Sequence, residues 1–240
     1  MPAASFDQNQ NATVITYRST LAIPNGYDAL DPLRSAGEQF VAQVNASAGD
    51  IRDERLPSYL AQHTGPTMFR AGATAHGASL NHKREYLAAD RRLRQPAETI
   101  DLRHAPEIRA RFVGRDLGQT MTAIAAADLA TLAALVVDGN LADLAPEAFA
   151  LATDRYMALN VLERTGMGAQ YASKPRLDDP LAVGVDETAA TRAAEAVLEG
   201  HKARAEMVAT HARALQDYAA FLGHAYDLDT AAVFDRMVGE

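Results

Sequence analysis

The residues best suited to chemistry lie in NHKREYLAADRRLRQP, residues 81–96, a cationic stretch inside an acidic chain. If Asn81 caps a helix that ends before Pro96, steps of about 100° per residue place Lys83, Arg84, Arg91 and Arg94 within one arc. Tyr86, Ala89 and Leu93 then share another side. Arginines gathered on one face suit phosphate or carboxylate, because each planar guanidinium donates two hydrogen bonds at once. The following PEIRARFVGR adds Arg109 and Arg111. The candidate anion-binding residues are therefore Lys83, Arg84, Arg91, Arg94, Arg109 and Arg111. The plainer account is a solvated helix face, or cations paired with acids downstream, the usual fate of such a face. Nucleic acid is the weaker candidate partner: the net charge is −8, and aromatic residues that could stack on bases do not interleave with the cations.

Other chemistry is sparse. GATAHGAS, residues 72–79, has the glycine spacing of a phosphate-binding loop, but Ala78 stands where the lysine must be and no apolar strand precedes it. Nucleotide hydrolysis is not expected there. The seven histidines form no H-E-x-x-H or E-x-x-H pair, the spacings that bring two ligands to one metal on a helix. His201 and His211, ten residues apart, would be separated by about 15 Å along a helix and cannot share an ion. Without cysteine, thiol nucleophiles, disulfides and cysteine-bound metals are excluded. No catalytic residue, metal site or cofactor is assigned, and the reading leans away from an enzyme. A triad assembled in space could still escape notice in sequence.

Composition sets the frame for these residues. Apolar residues make up 48% of the chain and charged residues 22%, which is globular rather than disordered. Abundant alanine and few aromatics favour closely packed helices with little burial energy per residue, so self-association is expected to add stability. The segment MTAIAAADLATLAALVV, residues 121–137, is near the lower length for a membrane span and carries Asp128 at its middle. A buried helix is the better reading, and no membrane partner is expected. The first residues lack a basic segment followed by an apolar run, so no signal peptide is expected and synthesis is placed in the cytoplasm.

The elements that must position these groups fall into three charge zones: residues 1–79 at net −2, 80–115 at +4 and 116–240 at −10. TVITYRSTLAIP, within the first thirty residues, is β-branched and predicts a short strand or an extended arm that gains order by lying on another surface. Leu33, Phe40, Val41 and Val44 approximate one helical face. Residues 63–115 predict an irregular basic middle, with HTGPTMFRAGATAHGASLNH as a long connection. One helix is predicted over about 116–137. A second should open near Pro146, which suits a first turn, and end at the glycines 166 and 168. A third, capped by Asp186, should run on towards the end of the chain. On it Val197, His201, Val208, Leu215 and Leu222 belong to a seam of heptad type and are the candidate interface residues.

The expected fold is mostly α: a helical array or bundle with a long C-terminal helix and an extended, partly irregular N-terminal arm. Residues 1–30 form the arm and 31–240 the helical domain, with its helical core over 116–240. The favoured function is a structural or interaction subunit that self-assembles or joins a larger complex, including a shell, filament or virion particle. The alternatives are a polyanion- or nucleic-acid-binding module using the 83–115 segment, and an enzyme whose site lies between helices and holds histidine.

Overall fold

The computed structural model describes residues 4–8, 11–16, 19–47, 50–52, 54–175, 177 and 180–239. Three short strands, β1 (Ser5–Asp7), β2 (Asn11–Ile15) and β3 (Thr20–Pro24), precede α1 (Asp31–Ser47), α2 (Leu56–His63), α3 (Gly65–Arg94), α4 (Ala105–Ala110), α5 (Leu117–Ala125), α6 (Leu129–Val136), α7 (Pro146–Thr165), α8 (Glu187–Tyr226) and α9 (Thr230–Val238). The fold is mostly α, with a C-terminal helix of 40 residues, α8. Contacts divide the chain into two compact units, residues 1–86 with 205–240 and residues 87–204. Both α3 and α8 have residues in each unit.

In the first unit the strands form an antiparallel sheet of order β1-β2-β3, with Ala12 opposite Ile23 and Val14 opposite Leu21. Alternation along β2 and β3 turns these four residues inward, where all are buried. They pack with Leu33, Phe40 and Val44 of α1 in one core, so the N-terminal residues lie on this chain's own helix. Gly37 permits the approach: a Cβ there would stand 2.8 Å from Val14 Cγ2. Phe40, Phe221 and Tyr226 make edge contacts deeper in the core, and the Tyr218 hydroxyl donates to Met68 O over 2.8 Å.

The long connection predicted over 63–82 is instead most of α3, a helix of 30 residues in which Asn81 is interior rather than a cap. Glycine, threonine and serine favour loops by propensity, but here Gly65, Ala71, Gly72, Ala75 and Ser79 are the buried face, and close packing overrides propensity. At Gly72 a Cβ would fall 2.2 Å from Met237 Sδ of α9, so the missing side chain is what admits that helix.

The second unit has its own core, built from Phe112, Ile124, Leu132, Leu135, Tyr156, Met157 and Leu198 among others. The single helix predicted over 116–137 divides into α5 and α6, because the Asp128 side chain accepts from Thr131 N and restarts the helix as an N-cap. α7 opens with Pro146 in its first turn and ends at Gly166 with φ +60, as expected. Asp186 accepts from Ala189 N at the start of α8, also as expected. That helix runs through Gly200 to Tyr226, where Asp227 at φ +56 ends it, and α9 follows as a separate helix.

A buried side chain closes the C-terminus of α3. Asn160 of α7 has 0% exposure; its Oδ1 accepts from Ala97 N and its Nδ2 donates to Leu93 O and Gln95 O. The Tyr156 hydroxyl donates to Arg94 O, and Arg164 donates to Arg92 O. Arg92 O, Leu93 O and Arg94 O are the last carbonyls of α3, which no further helical turn can satisfy, and Gln95 follows them.

Candidate functional site

An open groove of about 430 Å³ lies in the first unit, within the usual size range of small-ligand sites. Residues three or four apart share a helix face, so α3 presents His76, Ser79, Leu80, Lys83 and Tyr86 along one wall. α8 supplies Val208, His211 and Leu215, with Ala205 and Ala212 keeping its wall low, and Phe234 of α9 joins the lining. The lining is chiefly apolar and includes no acidic residue, although the chain is acidic overall.

Two lining residues are chemically incomplete. His211 is 2% exposed, and neither ring nitrogen has a hydrogen-bond partner. Its ring meets Tyr27 edge-on at 5.3 Å and His82 at 5.6 Å between centroids. Burial, with the neighbouring His82 charge, pushes the His211 pKa below its ordinary 6.5, so the ring is neutral near pH 7 and offers one donor and one acceptor. Ser79 is 7% exposed, and its Oγ is likewise without a partner, although a helical serine often bonds back to the preceding turn. The two groups are not hydrogen-bonded to each other, so they do not form the serine–histidine contact that activates a nucleophile. One helical turn beyond Ser79 stands Lys83, whose side chain makes no ion pair among the described residues.

The other cations named from sequence are placed differently. Lys83 and Arg84 belong to the first unit; Arg91, Arg94, Arg109 and Arg111 belong to the second. Arg84 donates to Asn81. Arg94 donates from Nε to Asp90 Oδ2 over 2.8 Å, and His201 Nε2 lies 3.1 Å from Asp90 Oδ1. Burial acts to raise the Asp90 pKa, but hydrogen bonds and charge from Arg94 and His201 outweigh it and hold the carboxyl below its ordinary value. Arg109 donates to Ala134 O and to Asp138 Oδ2, each over 2.6 Å. Arg91 and Arg111 are exposed.

Of the seam residues on α8, His201, Leu215 and Leu222 are buried within the chain's own units, Val208 lines the groove and Val197 is exposed. Among the described residues, no group of three histidine, aspartate or glutamate side chains could hold a metal ion. Nor is any described helix long and apolar enough to cross a membrane.

A second feature belongs to the 87–204 unit. The turn after α4 carries Val113 at 71% exposure, the turn after α6 carries Leu141 at 63%, and Leu117, the first residue of α5, is 48% exposed. Val113 and Leu117 border a hollow of about 200 Å³ whose floor includes Phe112 and Leu144. These turns are tightly built. Arg109 ties α4 to the end of α6, Asn140 bonds both Leu144 N and Leu144 O, and Asp116 accepts from Gln119 N. Sequence reasoning did not single out these aliphatic residues, because nothing in the local pattern says which way a turn residue points.

Comparison with protein-family models, curated proteins and solved structures finds no match to this chain.

Proposed function

We propose that the protein is a structural or interaction subunit that assembles with copies of itself, docking through the exposed aliphatic side chains of Val113, Leu117 and Leu141. One observation carries this reading: large apolar side chains stand in water on two turns and a helix start that are pinned by hydrogen bonds. A mobile loop could fold such residues away, whereas a pinned turn keeps them exposed and preorganised for contact. The alanine-rich cores, with limited burial energy per residue, also favour association as a source of stability. A polyanion-binding role has less support, since Arg94 and Arg109 each hold an acid of this chain.

Sedimentation velocity on the wild type and on Val113→Ser/Leu141→Ser tests the reading. Both positions are exposed, so the fold should tolerate the exchange. The wild type is expected to sediment as an oligomer whose fraction rises with concentration, and the variant to move towards the monomer. Identical profiles for the two proteins would contradict docking through these side chains.

A further inference from the structure

We propose that the groove on α3 and α8 is a binding site for an apolar monocarboxylate of fatty-acid type. Its chemistry is independent of the exposed aliphatic side chains, which lie in the other unit.

Buried polar atoms are almost always paired, so three orphaned atoms on two residues of one groove, Ser79 and His211, mark a position where a partner belongs. Ser79 Oγ–H and the N–H of neutral His211 are donors and call for an acceptor. Lys83, one turn along the same face of α3, adds a cation, and no lining acid competes for it. A carboxylate fits this set: two oxygens accept hydrogen bonds while the charge is balanced by the ammonium. The remaining lining dictates the rest of the ligand. Leu80, Tyr86, Val208, Leu215 and Phe234 offer apolar contact, and the alanines of α8 leave room for a chain lying along the groove. A phosphate would bring greater charge than a single lysine balances, and a sugar would find too few polar groups on the apolar walls.

Octanoate is the probe, titrated calorimetrically into the full chain below its micelle concentration, with octanol as the uncharged ligand of equal chain length. Saturable binding at one site is expected, about tenfold or more tighter than octanol, because hydrogen bonds to a charged group are the stronger kind. Lys83→Met and Ser79→Ala should each weaken octanoate and leave octanol nearly unchanged. Ala212→Trp, at an exposed lining position, should block both ligands while leaving the thermal melt unaltered. The proposal is overturned if octanoate does not saturate a site, if octanol binds equally well, or if octanoate binding survives Ala212→Trp. Histidine ring resonances provide a direct check. Octanoate should shift the His211 signal, and a titration that leaves it unmoved also counts against the site.

Discussion

His211 illustrates how a single residue can be destabilising where it stands. Two unpartnered ring nitrogens in a buried position forfeit their bonds to water, and an apolar ring of similar size removes that penalty. His211→Phe is therefore expected to stabilise the protein by about 1–3 kcal/mol in chemical denaturation and to weaken octanoate. A pH dependence follows from the lowered pKa. Above the ordinary value of 6.5 the ring is neutral both folded and unfolded. As pH falls below 6.5 the unfolded chain takes up the proton first, so stability declines. The difference between wild type and His211→Phe should widen from pH 7 to pH 5, and a constant difference would refute the assignment. Asn160 is the opposite case: Asn160→Leu leaves Ala97 N–H and Leu93 O without that partner, while Gln95 O keeps Arg164, and is expected to cost about 2–4 kcal/mol, measured by the same denaturation. Neither role was legible in sequence. His211 was one of seven unremarkable histidines, and the atoms that Asn160 serves lie more than sixty residues away.

At the scale of elements, the ends that carry local chemistry were readable and the middles were not. Pro146, Gly166 and Asp186 mark helix ends through backbone and capping effects that act within one turn. The α5–α6 break hinges on one aspartate whose capping role looks, in sequence, like a charge within an apolar helix. Asp128→Ala should cost about 1 kcal/mol by removing that cap. The Gly-, Ala- and Ser-rich part of α3 has the local pattern of a loop, because its helicity comes from distant partners. Gly72→Leu tests this account: its side chain would collide with Met237 and Tyr218, so the melting temperature should fall sharply. An unchanged melt would mean that α9 does not depend on that close approach. The groove was hidden for the same reason, since its walls come from residues 76–86, 205–216 and 234.

For the molecule as a whole, mostly α architecture and the long C-terminal helix followed from periodicity, while the division into two units depends on which distant segments meet. The first residues are integral to one of those units. Val14, Leu21 and Ile23 are each worth about 1.5–3 kcal/mol of burial, together comparable with the stability of a typical domain. A chain starting at residue 31 should therefore lose cooperative unfolding of that unit, visible in its thermal melt. Such a truncation cannot report cleanly on assembly, whereas exposed turn residues can. Association through apolar side chains should also persist in high salt, unlike association between charged faces.

The most direct test of the assembly account is the molar mass of the intact chain by light scattering, over a wide concentration range at low and high salt. The account predicts a mass above the 25.7 kDa of one chain, rising with concentration and retained at high salt. A constant 25.7 kDa under every condition would contradict it.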